Sequence, residues 1–428
     1  MKRNRLLIVT LLLLLAAGFC VEAAGQEESS ASGVTIKYMW WTPVYEPYIQ
    51  GAIEKFHSEN PGISVEYETL AFDPYWQKVQ NLFAAGNPPD AFDMSVVFVW
   101  DFADKGSVLD IEDFVSRDID KYYRKPIDME RYPDAGGKPY AMPYQWVASM
   151  LYYNEDAFDA AGVGYPTRDW DYETLIQTSK KLTADTDGDG KADRYGFFSN
   201  AAHTFLDSMI KAYGGEVLSS DYSTCKITEP AALQVIQKCV DMIQKDKSAP
   251  VAASYDALLV SGGEMFRSGK IAMTIDGSYM IDSFKDVPFE WDATMVPKGP
   301  VKRSIYGGPD GISIAKTTAH PDETWAFVKF MTGADRPKET WIPGGVSITK
   351  SVASSSDWTD MHKQWISEPK DLLDAAQYME GADFCTKWLE WRINTMNAEL
   401  APAFVGQKSV ADAARAAKAA VEKVLQSK

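Results

Sequence analysis

Along Val34–Trp40 (VTIKYMW) apolar and polar positions alternate, and the residues are β-branched or aromatic, which predicts a strand. The period then lengthens. Over Tyr45–Asn60, Ile49, Ala52, Ile53 and Phe56 recur at helical spacing, and Asn60-Pro61-Gly62 stops the helix. Ile63–Thr69 reads as a second strand. Tyr75–Ala85 reads as a helix closed by Gly86-Asn87-Pro88-Pro89, and Asp90–Val97 as a third strand. Strand and helix alternating at this spacing predict βαβ units and a parallel sheet. The pattern continues through a strand at Ala148–Tyr153, helices at Asp156–Ala161 and Asp171–Leu182, and a short strand at Tyr195–Phe198. Ala231–Gln244 and Ala253–Ser268 read as amphipathic helices, Ile271–Ile275 and Ile312–Ala315 as buried strands, and Asp322–Met331 as a helix. The last third is mainly helical. It ends in a helix over Ser409–Gln426 that opens on a capping box of Ser409 and Asp412.

The first residues follow another logic. Lys2, Arg3 and Arg5 precede an almost wholly apolar run, Leu6–Phe19, which is short for a membrane span and has the layout of an export signal. Two processing routes are open: cleavage among the small residues near Ala23-Ala24-Gly25, or acylation of Cys20 as in a bacterial lipoprotein. Residues 1–25 are therefore assigned to the signal and 26–33 (QEESSASG) to a flexible tether, and the protein is expected outside the cytoplasm, periplasmic or lipid-anchored. Beyond Cys20 the cysteines number three, so they set no disulfide framework; Cys225 and Cys239 are read as buried thiols.

Among 428 residues, 60 Asp and Glu face 43 Lys and Arg, a net charge of −17. That balance argues against nucleic acid as a partner. No HExxH, CxxC or Gly-x-Ser-x-Gly occurs, and Ser268-Gly269-Lys270 lacks the rest of a phosphate loop. One run resembles a calcium loop. Asp185, Asp187, Asp189 and Asp193 stand at relative positions 1, 3, 5 and 9, with Gly190 at 6 and Lys191 at 7, where a backbone carbonyl serves. Gly196 replaces the carboxylate of position 12, so a surface loop held by Asx turns is the competing reading.

The 13 tryptophans exceed what a core needs, and aromatics gather where connections leave strand ends. Examples are Trp41 with Tyr45, Trp76, Tyr144 with Trp146, Tyr279, Trp341, and Trp388 with Trp391. Open α/β sheets bind ligands at such ends. Flat rings flanked by Asp, Asn, Gln and Thr suit sugars, whose C–H faces stack while their hydroxyls hydrogen-bond.

Several runs then carry a family resemblance. They are Phe56-His-Ser-Glu-Asn-Pro61-Gly-Ile63, Ala85-Gly86-Asn-Pro-Pro89-Asp90, Gly137-Lys138-Pro-Tyr140-Ala-Met-Pro143-Tyr144, Tyr153-Asn154 through Val163, Phe266 through Tyr279, and His320 through Phe330. In order and number they resemble a family-1 extracellular solute-binding protein of the maltodextrin-binding kind, serving an ABC importer. The resemblance implies a two-lobe α/β fold, each lobe a mainly parallel sheet flanked by helices, closing by a hinge on a sugar held between them. It places lobe one at 34–143 plus 290–331 and lobe two at 144–289 plus 332–428. It implies a monomer that works with a membrane permease and its ATPase, without enzymatic activity or a required cofactor; a structural calcium is the one addition the residues suggest. Carried over by position, Tyr279 is the sugar-stacking aromatic and Trp388 lines the same cleft. Trp41-Thr42 and Met94-Ser95 follow strand ends, His203-Thr204 lie on a second-lobe loop, and Gly307-Gly308 join the set. Met94, Val97 and Val147 depart from the maltodextrin pattern, so the ligand is expected to be a different mono- or oligosaccharide. Two other readings are an exported carbohydrate-active enzyme and the same fold taking a polyamine or peptide, for which Asp276 and Asp310 would supply acids.

Overall fold

The computed structural model describes residues 33–199, 205–250, 262–380 and 383–427. The expected signal, Cys20, the tether up to residue 32, His203, Thr204 and the first part of the helix read from Ala253 lie outside the described residues.

Among the described residues ten strands follow one another: β1 (Val34–Trp41), β2 (Ile63–Leu70), β3 (Ala91–Ser95), β4 (Arg131–Tyr132), β5 (Lys138–Pro139), β6 (Met142–Asn154), β7 (Met273–Gly277), β8 (Trp291–Met295), β9 (Gly307–Ile314) and β10 (Val346–Ser347). The first half of the main sheet runs β2-β1-β3-β9-β6, with β10 on the far side of β6. The parallel pairing expected from the βαβ pattern holds for β2-β1-β3. It does not hold beyond them. β9 is antiparallel to β3, and β6 is antiparallel to β9, β7, β8 and β10.

β6 is the strand both halves share. Met142–Ala148 pairs with β9, while Ser149–Asn154 lies between β7 and β8. Nearly every residue of β6 is buried, as a strand covered on both faces requires. This explains why its sequence reads as an apolar run without clear ends, and why only Ala148–Tyr153 stood out.

The pairing also moves the lobe boundaries. Residues 290–295 were expected with lobe one, but β8 pairs with Met150–Asn154 in the second half, so the chain returns only after it. Residues past 332 were expected with lobe two. Instead the backbone amide of Tyr123 donates to Ile348, and Lys338–Thr340 packs against the helix Glu46–Glu59. The segment from Arg336 to Thr349 therefore stays with the first half.

The helix ends carry the chemistry their sequences promise. Asn154, Asp171 and Ser409 each accept a backbone N–H of the first turn, and Gly162 closes its helix at φ 62°. Helix Phe72–Ala84 begins three residues before the predicted Tyr75. Tyr195–Phe198 forms only a single bridge to Ile271 instead of a strand. All three described cysteines are free and buried, and burial raises the thiol of Cys225 to about 11 and that of Cys239 to about 12.

Two buried polar clusters hold the elements around β6. Arg392, fully buried in the π-helical stretch Leu389–Met396, donates to both carboxylate oxygens of Asp207 at 2.7 and 2.8 Å and to Asn397 Oδ1 at 2.6 Å. Removing one partner of such a pair costs roughly 3–5 kcal/mol, because it leaves a buried charge alone. The second cluster centres on His362, which is 0% exposed. Its Nε2 accepts from the Gly344 amide at 3.1 Å, while Nδ1 lies 2.9 Å from the Trp358 carbonyl. These partners require a neutral ring with the proton on Nδ1. Burial lowers its pKa to about 4.

A pH dependence follows. Between its ordinary value near 6.5 and about 4, the unfolded chain binds a proton at this histidine that the native state does not, so stability falls as pH falls through that window. Urea unfolding at pH 7.5 and 4.5 is expected to show wild type losing about 2–3 kcal/mol more than His362→Gln. Equal losses in both proteins would remove His362 as the cause.

Candidate ligand-binding cleft

Directly paired strand residues share a face of the sheet, and alternate residues along one strand do too. Ser95 pairs with Asp310, and Asp310 with Gln145, so these three and Asp93 look the same way. A bulge at Tyr144 breaks the β6 register between Pro143 and Gln145. It lets two successive residues reach this face: Tyr144 donates to Asp93 Oδ2 at 3.3 Å, and Gln145 Nε2 donates to Asp310 Oδ2 at 3.4 Å. Behind them Tyr38 donates to Asp93 Oδ1 at 2.5 Å and Tyr75 to the Asp93 carbonyl at 2.7 Å. Burial pushes the Asp93 carboxyl well above the usual carboxylate range, against the pull of the Tyr38 hydrogen bond. Asp310 is only half-buried, yet burial raises it to about 7, with the Gln145 bond pulling the other way.

One wall is built at the end of β7. Asp276 Oδ1 accepts the Gly277 amide at 2.8 Å and the Tyr279 hydroxyl at 2.9 Å, which folds the tyrosine back over its own turn. Glycine at 277 is required there: a Cβ would stand 2.1 Å from Cε1 of the Tyr279 ring. The ring therefore rests on Gly277 with 40% of the residue exposed. Burial raises its hydroxyl pKa far above 10, helped by the charge of Asp276. Ser278 anchors the turn. Its amide donates to Ala148, and its hydroxyl donates to Gly344 at 2.6 Å, where φ is +81° and a Cβ would sit 1.9 Å from the Ser278 carbonyl.

Of the residues singled out from sequence, Thr42, Ser95, Tyr144, Trp341 and Tyr279 keep open surface. Tyr45 is 9% exposed, and the charges of Asp282 and Asp310 both bear on its hydroxyl. Trp41 (8%) and Trp76 (4%) pack on each other, and Trp76 also lies 3.9 Å from the Phe98 ring centroid. They back the wall but offer no free face. Met94 points away from the Asp93 face and is 0% exposed. Trp146 pairs with Pro309, not Asp310, and packs edge-on against Tyr123 on the opposite face. Both were expected in the site and stand in the core. Gly307 and Gly308 are buried strand residues, and Trp388 is 3% exposed beside Phe384.

Gln145 and Tyr306 were not singled out from sequence, and Asp276 and Asp310 were named only for a polyamine or peptide ligand. Tyr306 feels the charges of Asp310 and Asp207 and lies near Tyr279. The halves touch across the mouth, where Trp100 meets Tyr222 edge-on at 5.5 Å and the Lys387 amide donates to Asp101 at 2.9 Å.

The acidic loop lies apart from this cleft. Carboxylate oxygens of Asp185, Asp187 and Asp193 come within 4.8 Å of one another, all exposed. Asp185 accepts the amides of Gly188 and Gly190, and Asp193 accepts both the amide and hydroxyl of Thr186, which lowers its pKa. Asp189 is turned to Lys191, whose Nζ is 3.9 Å away. Gly196 packs where a Cβ would stand 1.8 Å from the Ser179 carbonyl, so no acid fits at position 12.

Comparison with known proteins bears on this geometry. A family model described as bacterial extracellular solute-binding protein matches residues 41–335. A Brucella abortus protein carrying a binding-protein name is 26% identical over 316 residues, 72% of this chain and 74% of its own. The maltotriose-binding protein of Pyrococcus abyssi is 21% identical over 360 residues, 82% and 72% of the two chains. Among solved structures, an ABC substrate-binding protein of Listeria monocytogenes in complex with cycloalternan superposes with a TM-score of 0.81 at 22% identity, covering 92% of this chain and all of the other. That likeness shows the fold, two α/β lobes about a cleft.

Proposed function

The chain belongs to the bacterial extracellular solute-binding protein family, and from that premise we propose that it captures a mono- or oligosaccharide for an ABC importer. It works outside the cytoplasmic membrane as a monomer, free or tethered through an acylated Cys20, and hands its ligand to a permease driven by an ATPase. The observation that carries the sugar reading is Tyr279, a flat ring held on Gly277 and 40% exposed, taken together with the hydrogen-bonding groups of Gln145 and Asp310 on the paired strands β6 and β9. Stacking face and polar edge are what a pyranose asks of a site. Relatives named for maltotriose and cycloalternan support the same class of ligand. The protein acts by closing, without chemistry on the ligand: β6 and β9 join the halves, and the contacts of Trp100 and Lys387 span the mouth.

For the loop at Asp185–Asp193 we propose a structural calcium, supported by the convergence of three carboxylates. It lies far from the chemistry of capture and would act on stability alone.

A carbohydrate panel followed by thermal shift tests the main reading, since ligand at a hundred times its Kd adds about 2.7 kcal/mol of stability. The bound protein is expected to scatter as a more compact particle, and turnover of any glycan would favour an enzyme instead. With the ligand found, Tyr279→Ala is expected to cost about 1–3 kcal/mol of binding, roughly five- to a hundredfold in affinity, with little change in melting temperature. Gly277→Ala is expected to lift the ring and weaken binding in the same direction. Unchanged affinity in the first variant beside a large loss of stability would make Tyr279 a core residue. For the loop, chelator is expected to lower the melting temperature of wild type and leave that of Asp187→Ala unmoved. Indifference of both would leave the loop held by its own hydrogen bonds.

A further inference from the structure

Beside the bulge of β6 lies a cavity of about 30 Å³. Tyr144 and Gln145 of β6, Arg336, Trp341, Gly345 and Ser347 line it, and no acidic residue does. In a chain of net charge −17 such a lining is the reverse of the average. A volume of about 30 Å³ is more than one water needs, suits a halide-sized ion and falls far short of a sugar ring.

Arg336 is the member of this lining that lacks a match. It is 7% exposed, and its guanidinium donates to the hydroxyl and carbonyl of Thr340 and, at 3.5 Å, to the carbonyl of Met331. These acceptors are neutral, and they leave further N–H groups of the fork unused. No carboxylate forms an ion pair with Arg336 among the described residues. Asp93 is the acid whose charge reaches it. Both Asp93 oxygens already take tyrosine hydroxyls, however, and burial holds that carboxyl high, so it offsets little. Burial pulls the pKa of Arg336 down as well, yet a guanidinium stays protonated. The fold therefore carries a buried positive charge without its counter-charge, a costly state until an anion joins it.

Other donors line the same cavity. Ser347 Oγ accepts the Thr349 amide at 3.1 Å, which leaves its own proton to give. The indole N–H of Trp341 has no acceptor among the described residues. Tyr144 and Trp341 keep open surface, so a small ion has a way in.

We propose that this cavity binds one small monovalent anion, chloride or an ion of its size, held by the Arg336 guanidinium and the Ser347 hydroxyl. The ion neutralises Arg336 and braces the stretch 336–349, whose Gly344 carbonyl anchors the Ser278 turn beneath Tyr279. It serves stability, and the site stands whether or not the captured ligand is a sugar.

The test compares the mature protein in sodium chloride and in sodium methanesulfonate at equal ionic strength, the second anion being too large for the cavity. Chloride is expected to raise the melting temperature by a few degrees along a saturating curve, and bromide to do the same. Arg336→Met keeps the stem and removes the charge, and it is expected to melt alike in both salts, whereas a general salt effect would persist in it. In wild-type crystals soaked in sodium bromide, an anomalous peak is expected within hydrogen-bond reach of the Arg336 nitrogens. Water alone at that position overturns the proposal whether or not the variant folds. Wild type that melts alike in both salts overturns it too, since a bromide peak would then mark an adventitious ion only.

Discussion

Everything in this molecule is arranged around one strand that cannot slip. β6 gives its first seven residues to β9 and its last six to β7 and β8, so a shift of one residue would turn every side chain of both halves to the wrong face. The backbone at the crossing point is hydrogen-bonded on both sides. Ala148 accepts from Ser278, Ser149 donates to Tyr306, and the Ser278 hydroxyl ties this junction to Gly344. Closure of the kind proposed above would be taken up as twist of strands that stay paired, without loss of register.

The cleft follows from that constraint together with the cost of burying charge. The bulge at Tyr144 brings two neighbouring side chains to one face, and the acids they meet, Asp93 and Asp310, are held where water is scarce. Asp93 is satisfied by Tyr38 and Tyr144 and belongs to the scaffold, whereas half-buried Asp310 has the one long side-chain bond from Gln145. The same distinction separates the aromatics. Trp41 and Trp76 spend their faces on each other and on Phe98, while Tyr279 is propped against a glycine and keeps one face free.

Local signals in the chain were good guides to local structure. Caps at Asn154, Asp171 and Ser409, the stop at Asn60-Pro61-Gly62, and the first three strands were all legible, because each depends on residues adjacent in sequence. Strand direction past β3 was not, since antiparallel neighbours such as β3 and β9 are brought together by contacts more than two hundred residues apart. β8 and the placement of residues 336–349 were hidden for the same reason. The exposure of Tyr279 past its turn was legible, but Trp146 and Met94, expected beside it, are buried. Alternation fixes which way a residue points only when the register is known, and a bulge resets it.

The way Tyr279 is seated has a kinetic and entropic side as well. A tyrosine on an open turn samples several rotamers, and a ligand that stacks on it must first freeze the ring, a loss of about 0.5–1.5 kcal/mol for such a side chain. Here the hydroxyl is already moored to Asp276 and the ring already lies flat on Gly277, so that ordering is complete before anything stacks on it. The entropy that a stacking partner would otherwise have to remove from this side chain has been spent in folding.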